Sequence, residues 1–213
     1  MHRALWSIDL SLLFDGYSTS APVTGYNALM NCSTIAKSIL RTKGWKVVGN
    51  YPVQHKKLVL VAAPHTSNWD FPLGVLVRAA IQQDIKFVGK DTLFKPPLGW
   101  LLSAMGGVGV DRTKSSNFVD AVVAEFLRRE KFAILFAAEG SRRKVEKFKT
   151  GFYYIASKAG APILPTVLNY ASKEFTFLEP FFPTENAEKD IAEIEDLFAG
   201  IRGLRPELGF RCE

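Results

Sequence analysis

A histidine and an aspartate, His65 and Asp70, lie five positions apart, just after a short apolar run. The run from Leu58 to Ala63 is rich in branched aliphatic residues and predicts a buried strand. Pro64 ends this strand because it has no N–H group to donate to a neighbouring strand. In an open α/β sheet, ligands bind at the edge where the parallel strands end. An imidazole that an aspartate orients at such an edge can remove a proton from an alcohol, as a general base does.

A purely structural role for His65 is the alternative, because a single histidine at a strand end often serves only as a structural hydrogen-bonding group. The residues after His65 are good helix-capping types, and the apolar residues 71–81 predict a helix that starts near Asp70. A turn this tight between strand and helix can bring the two side chains within hydrogen-bonding distance. The rest of the chain has to decide between the two interpretations.

The remaining elements alternate between strands and helices, which predicts an α/β fold: a single domain with a mostly parallel central sheet flanked by helices. Further strands are predicted at 45–48, 85–89, 133–137 and 163–168. Helices are predicted at 71–83, 116–129 and 152–158, and a C-terminal helix has an apolar stripe through 191–201. The apolar residues 98–110 are too few to span a bilayer and predict either core or a surface that touches lipid.

The domain is expected to cover residues 44–213, after an N-terminal segment, 1–43, that is partly flexible or interfacial. Within this segment, residues 5–14 predict an amphipathic stretch that lies at a membrane interface. Residues 16–28 are rich in Gly, Ser, Thr, Pro and Asn and predict a loop. A secretory signal peptide is not expected, because acidic residues interrupt the apolar part.

Composition narrows the possible partners. The 213 residues carry 27 Lys and Arg against 21 Asp and Glu, a formal net charge of +6, which favours an anionic partner such as phosphate, nucleic acid or a lipid headgroup. The two cysteines, Cys32 and Cys212, lie near opposite ends and suggest neither a disulfide framework nor a metal site. A reduced, cytosolic compartment fits this pattern best.

Several familiar sites are excluded by their missing residues. The chain has three histidines and no H-E-x-x-H motif or Cys pair, which argues against catalytic zinc. Ser141 lacks the second glycine of a nucleophile elbow, and Gly107-Val108-Gly109 lacks the partners of a dinucleotide or P-loop motif. The basic residues between 142 and 149 have no accompanying aromatic ladder, so a solvated loop is favoured over nucleic-acid binding.

Four short blocks favour the catalytic interpretation of His65 because of their order. They are His65 to Asp70; residues 93–99 leading to Gly109-Val110-Asp111-Arg112; Glu139-Gly140-Ser141-Arg142; and Ala161-Pro162-Ile163-Leu164-Pro165. Together they resemble the glycerolipid acyltransferase family that includes 1-acylglycerol-3-phosphate acyltransferases, over about residues 44–170. Ser141 replaces the threonine usual in that family and keeps the hydroxyl. The N-terminal region lacks the pair of long hydrophobic helices that many relatives have.

The resemblance implies an O-acyltransferase. It would move a fatty acyl group from acyl-CoA or acyl-carrier protein to the hydroxyl of a lysophospholipid-like acceptor such as 1-acylglycerol-3-phosphate. His65 would be the base and Asp70 its orienting group, while backbone N–H groups in the turn after His65 would stabilise the oxyanion. The expected substrate-binding residues are Lys90, Arg112, Glu139, Gly140, Ser141, Arg142 and Pro165.

These residues have different expected roles. Arg112 and Arg142 suit the acceptor phosphate, because a guanidinium pairs bidentately with phosphate oxygens. Glu139 is expected either to order Arg142 or to contact an acceptor hydroxyl. The Gly140 turn lets the backbone approach the ligand, and Pro165 is expected to shape a tunnel for the acyl chain.

The resemblance also predicts the partners. These are the acyl donor thioester as co-substrate, the lysophospholipid acceptor and a membrane surface, with no nucleic acid, no metal and no other cofactor. The expected location is peripheral and monotopic on the cytoplasmic face of a membrane. Three alternatives remain: an amino-acid lysolipid acceptor, a lipid-remodelling transacylase, and a non-catalytic basic lipid-binding domain in which His65 and Asp70 are replaceable.

Overall fold

The apolar run before His65 forms the middle strand of a sheet. The computed structural model describes residues 23–110 and 115–212, and within these ranges seven strands form one sheet. The strands are β1 Lys46–Val48, β2 Lys57–Ala63, β3 Ile85–Lys90, β4 Gly107–Val110, β5 Phe132–Ala137, β6 Ile163–Asn169 and β7 Glu174–Phe177. Their order across the sheet is β1-β7-β6-β2-β5-β3-β4, so β2 has three strands on each side.

Most of the sheet is parallel, as the alternation of strands and helices predicts. β6, β2, β5, β3 and β4 run in the same direction. β7 pairs antiparallel with β6, and β1 pairs parallel with β7, so these two strands run the other way. The short strands β4 and β7 were not predicted from the sequence, whereas the fold class is confirmed.

Six helices connect or cover these strands in the described part of the chain. They are α1 Val23–Thr42, α2 Asp70–Ile81, α3 Leu98–Ala104, α4 Ser115–Arg128, α5 Gly151–Ala159 and α6 Ala187–Asp196. The predicted bounds of α2, α4 and α5 agree with these to within two residues. α5 ends where the sequence places Gly160, which takes a left-handed conformation with φ +61°.

β2 is apolar at nearly every position because both of its faces are buried. Val59, Val61 and Ala63 pack into a core that also contains α4, α5 and α6. Leu58, Leu60 and Ala62 alternate with them and pack on the other face, towards α1 and α2. Residues that alternate along a strand point to opposite faces, so the run covers two cores at once.

α1 corrects one sequence prediction. Residues 23–28 were predicted as loop, but they form the start of this helix. Farther along α1, Ala36 and Leu40 are buried in the core beside α2, and the Ser33 hydroxyl donates a hydrogen bond to the carbonyl oxygen of Ala80, at 3.1 Å. A helix that is stabilised by packing of its later turns can begin in residues of weak helix propensity, which composition alone does not indicate. The predicted interfacial stretch 5–14 and residues 16–22 lie outside the described residues.

Residues 98–110 were predicted to be either core or surface, and they contribute to both. They form α3 and β4, where Leu102 is buried and Trp100 and Leu101 are exposed. One side of the segment is therefore core, and the other is an apolar surface. No helix in the described ranges combines the length and the apolarity that a bilayer span requires.

Because α1 packs on the core with one face, substitutions of its buried and exposed apolar side chains should differ in their effect on stability. Leu40 is 4% exposed and Ile35 is 59% exposed. We expect Leu40→Ala to lower the free energy of unfolding by about 2–5 kcal/mol through lost burial and a residual cavity. Ile35→Ala is the matched control and should change it by less than about 0.5 kcal/mol. Urea unfolding measures both, and equal small effects would mean that α1 does not dock on the core in solution.

Candidate active site

The site lies at the carboxyl edge of the parallel strands, where the connections leave on opposite faces of the sheet. β2 leads into α2 on one face, while its parallel neighbour β5 leads into α5 on the other. A crevice opens between two such strands, and ligands of α/β sheets bind in it. The block from His65 to Asp70 follows β2, and the block from Glu139 to Arg142 follows β5. Tyr170 follows β6, the other neighbour of β2.

The predicted pair forms. His65 Nδ1 lies 3.0 Å from Asp70 Oδ2. The backbone N–H groups of Thr66 and Ser67 each donate to the same oxygen at 2.9 Å. The hydroxyl of Tyr170 donates to the other oxygen, Oδ1, at 2.7 Å. The carboxylate is almost completely buried, with 2% of the side chain exposed, and the imidazole is 24% exposed.

These contacts determine which imidazole nitrogen can act as a base. Burial alone would raise the pKa of Asp70, but the hydrogen bonds from His65, Tyr170 and Ser67 outweigh it and hold the pKa below its usual value. An ionised carboxylate only accepts hydrogen bonds, so Nδ1 of His65 must carry the hydrogen. Nε2 is then the nitrogen that can accept a proton. Burial, followed by the charge of Asp70, raises the pKa of the Tyr170 phenol, which therefore stays protonated.

The same contacts restrict the predicted oxyanion hole. The prediction is that backbone N–H groups in the turn after His65 face the developing negative charge. Those of Thr66 and Ser67 donate to Asp70, and that of Trp69 donates to Ser67 Oγ at 3.1 Å. The N–H group of His65 itself donates to Glu139 Oε1 at 2.8 Å. These four groups hold the turn together and are not available to the reaction.

Glu139 lies behind the turn. It is 1% exposed, and burial raises its pKa against the opposing effect of the hydrogen bond from the His65 N–H group. Its second oxygen, Oε2, has no hydrogen-bond partner among the described residues. The side chain therefore supports the backbone of His65. This contact was not among the roles expected from the sequence, which were ordering Arg142 or contacting an acceptor hydroxyl.

A cavity of about 700 Å³ extends from His65 between the sheet and α2. Its lining is mostly apolar and includes Leu60, Leu135, Phe175 and Phe177. Gly74, in the first turns of α2, also lines it, and a Cβ atom at that position would meet nothing within 4 Å. The missing side chain thus leaves the space open, in the middle of a helix where glycine costs about 1 kcal/mol.

Most of the predicted binding residues meet at this cavity. Besides His65 and Asp70, its lining includes Lys90, Gly140, Ser141 and Arg142. Gly140 has φ +66°, a left-handed conformation that favours glycine and lets the chain turn sharply after β5.

Three predicted residues are not placed there, and Glu139, which lies behind the turn, is the first of them. Pro165 is absent from the cavity lining in the described structure, and on β6 it alternates with Leu164 and shares the face of Ile163 and Val167. That face packs against the core beside α5 and α6, so the expected role of Pro165 in an acyl tunnel is not supported. Arg112 lies outside the described residues.

Comparison with known proteins gives an independent test of the family resemblance. The model of the family described as Acyltransferase matches residues 44–169, more than half of the chain and nearly the range in which the blocks occur. The chain belongs to the Acyltransferase family.

Individual relatives within this family have consistent names. The chain is 29% identical over 158 residues to the 1-acyl-sn-glycerol-3-phosphate acyltransferase of Salmonella typhimurium, covering 67% of this chain and 63% of that protein. It is 31% identical over 109 residues to the chloroplastic 1-acyl-sn-glycerol-3-phosphate acyltransferase BAT2 of Brassica napus, covering 49% of this chain. The matched part spans only 32% of that plant protein.

A solved acyltransferase has the same fold. The crystal structure of the 1-acyl-sn-glycerophosphate (LPA) acyltransferase PlsC from Thermotoga maritima superposes with a TM-score of 0.58. The match covers 88% of this chain and 84% of that one, at 16% sequence identity. At this identity the likeness concerns the fold.

Two contacts to the turn between His65 and Asp70 come from outside the segment that matches the acyltransferase family. Tyr170 contacts Asp70, and the backbone N–H group of Arg205 donates to Thr66 Oγ1 at 3.2 Å. Neither residue was identified from the sequence. The position of Tyr170 directly after β6 was a usable signal, because that strand ends at the same edge as β2. Arg205 follows α6 in an irregular segment and gave no such signal.

The contact between Tyr170 and Asp70 predicts a pH-dependent effect on stability. Because the folded pKa of Asp70 is lowered, its stabilising contribution is present above the ordinary aspartate pKa and is lost as the pH falls through the folded pKa. Tyr170→Phe removes one hydrogen bond to this charge and should lower the free energy of unfolding at pH 7 by about 1.5–3 kcal/mol. The deficit should shrink as the pH falls below the ordinary aspartate pKa and through the lowered folded pKa, where the carboxylate of the folded protein becomes protonated.

Urea unfolding at several pH values measures this deficit. Tyr154→Phe is the matched control, because its side chain is 47% exposed on α5 and makes no contact with Asp70. A deficit that keeps its size while the pH is lowered from 7 through the folded pKa of Asp70 would contradict the electrostatic explanation, since loss of packing does not depend on the charge of Asp70.

Proposed function

We propose that the protein is an O-acyltransferase that transfers a fatty acyl group from a thioester donor to the hydroxyl of a lysophospholipid-like acceptor such as 1-acylglycerol-3-phosphate. The observation that carries this proposal is the His65–Asp70 pair, with its carboxylate buried, in the lining of a large apolar cavity. A base beside a chamber suited to an alkyl chain fits the acylation of an alcohol. The names of the relatives support the choice of acceptor.

The proposed reaction is a direct transfer and needs no acyl-enzyme intermediate. Nε2 of His65 accepts the proton of the acceptor hydroxyl as its oxygen attacks the thioester carbonyl carbon. Asp70, held ionised by its four hydrogen bonds, stabilises the imidazolium that forms. Collapse of the tetrahedral intermediate breaks the C–S bond, and the imidazolium returns its proton to the departing thiolate. An ester and a free thiol result, and the mechanism calls for no cofactor beyond the donor.

The rest of the site has matching proposed roles. The apolar cavity holds the acyl chain, and Gly74 leaves room for it. Arg142 lines the same cavity as His65 and suits an acceptor phosphate, and Lys90 adds positive charge to the same lining. Acyl-CoA and acyl-carrier protein remain alternative donors, because both present the same thioester.

Substitution of the pair tests the activity. Purified protein is incubated with labelled acyl-CoA and a panel of lyso-acceptors, and the product is identified by mass spectrometry. We expect His65→Ala to reduce turnover to near background. Asp70→Asn should lower kcat by about 10³–10⁴-fold, because the imidazole loses its orienting charge and its tautomer.

The control is His55→Ala, which removes a histidine whose ring contacts Phe182 rather than the site. It should retain wild-type kcat. Full transfer by the folded His65→Ala variant would refute the catalytic assignment and favour the non-catalytic lipid-binding alternative. If product forms only with an amino-acid lysolipid, the proposed reaction stands and the assigned acceptor changes.

We also propose that the protein binds a membrane surface peripherally, on the predicted cytoplasmic face. Leu93, Trp100 and Leu101 are exposed in the segment from the end of β3 to α3. This segment adjoins the cavity, because Leu93 and Lys90 are among its lining residues. Lys90 and Lys95 are also exposed there, and each basic residue near an anionic surface contributes about 1 kcal/mol. The apolar side chains would enter the interface while the lysines contact headgroups.

Liposome flotation tests this surface. Wild-type protein should float with anionic vesicles at low salt, and binding should weaken as salt increases because the headgroup attraction is screened. Trp100→Glu should reduce the bound fraction several-fold. Leu127→Glu is the matched control: Leu127 is also strongly exposed, but it lies on α4, on the other face of the sheet. Wild-type protein that stays in the soluble fraction at low salt would contradict peripheral binding.

A further inference from the structure

A second, smaller pocket lies beside the catalytic turn. It has a volume of about 170 Å³ and is lined by the turn residues Thr66, Ser67, Asn68 and Trp69 together with Arg142 and Arg205. A water molecule takes up about 30 Å³ of the liquid, so a pocket of this size has room for a hydrated phosphate group.

Arg205 reaches this pocket because the chain after α6 is fixed against the turn. The residues 202–205, which we call the C-terminal strap, cross directly over it. The carbonyl oxygen of Arg202 accepts a hydrogen bond from the backbone N–H group of Tyr170 at 2.9 Å. The N–H group of Arg205 donates to Thr66 Oγ1 at 3.2 Å. Between these two bonds Gly203 is buried so closely that a Cβ atom there would lie 2.4 Å from Thr66 Oγ1.

The charges at the pocket are unbalanced. Two guanidinium groups line it and no carboxylate does. Within the described residues, neither Arg142 nor Arg205 has an ion pair or a side-chain hydrogen bond. Arg211 on the same C-terminal segment differs, since it pairs with Glu195 and Asp196 at 3.0 and 2.6 Å. Two unpaired guanidinium groups on one small pocket select an anion that can accept several hydrogen bonds.

We propose that Arg205 is a second phosphate-binding residue that, together with Arg142, binds the phosphate monoester of the acceptor in this pocket. The inference rests on the proposed function, because it takes the acceptor to be a glycerol phosphate. Arg142 lines both the pocket and the cavity of His65, so the two spaces adjoin. Only a few bonds separate the phosphate of a glycerol phosphate from its neighbouring hydroxyl. A phosphate held by the two arginines therefore places that hydroxyl next to the base.

Kinetics on the full-length protein test the assignment. Arg205→Ala should raise the KM for 1-acylglycerol-3-phosphate by about tenfold or more, since a hydrogen bond to a charged group is lost. The kcat and the KM for acyl-CoA should change by less than about threefold, because Arg205 does not touch the reacting atoms. Arg205→Lys should restore only part of the affinity, as an ammonium cannot reproduce the planar fork. The matched control is Arg202→Ala, which removes the same charge from an exposed side chain of the strap that does not line the pocket.

The KM values for the two substrates distinguish the possible sources of the bound phosphate. An increase confined to the KM for the acceptor supports the proposal. An increase confined to the KM for acyl-CoA would overturn it and assign the pocket to a donor phosphate. Equal effects of Arg205→Ala and Arg202→Ala would also overturn it, because they would reflect only the net charge of the surface.

A binding measurement that needs no turnover distinguishes failure of this inference from failure of the proposed function. Glycerol 3-phosphate is titrated into the wild-type, Arg205→Ala and Arg202→Ala proteins by isothermal titration calorimetry. Binding that is weakened by Arg205→Ala alone supports the phosphate site even if no acyl transfer occurs. Acyl transfer with unchanged glycerol 3-phosphate affinity and unchanged acceptor KM in Arg205→Ala would leave the proposed function intact and overturn the role of Arg205.

Discussion

The structure of the site depends on keeping one buried carboxylate ionised. An anion with almost no contact with water is stable only if hydrogen-bond donors replace its hydration. Asp70 has such donors in the imidazole of His65, two backbone N–H groups and the phenol of Tyr170. Each contact also fixes part of the geometry, because the backbone donors wrap the turn around Asp70 and the imidazole is held in one tautomer. The requirement of a single charge therefore shapes the whole segment between β2 and α2.

The sheet brings the remaining groups to this charge. Because β2, β5 and β6 are parallel neighbours, the segments that follow them emerge at one edge. Glu139 then supports the backbone of His65 from one side, and Tyr170 reaches Asp70 from the other. The connections leave on opposite faces at this point, so the crevice stays open. The apolar cavity continues from it under α2, where Gly74 contributes no side chain.

The C-terminal strap ties a distant part of the chain to the same turn. Thr66 accepts a hydrogen bond from the strap through its side chain while its own N–H group donates to Asp70. Gly203 makes the close approach possible, because any larger residue would collide with Thr66. Farther along the same segment, Phe210 is completely buried against Phe148.

Local sequence determined the elements with strong periodicity and the short-range pair between them. The apolar run of β2, the helix start at Asp70 and the spacing of His65 from Asp70 were readable because their partners lie within a few residues. Composition failed at residues 23–28, since they form the start of a helix whose later residues pack against α2. Only the tertiary structure decided that Glu139 supports the turn, because this contact depends on β5 lying next to β2. It also decided that Pro165 faces away from the cavity, because that depends on which face of the sheet each position of β6 occupies.

The long-range contacts to the turn were likewise not identified from the sequence. Tyr170 lies 100 positions from Asp70, and Arg205 lies 139 positions from Thr66. No local pattern records that such residues meet, since the order of strands and the path of the last segment bring them together. The sequence by itself thus determined the candidate base and its carboxylate, because the two residues are neighbours along the chain. The fold alone decided what holds them in place, because those partners are neighbours only in space.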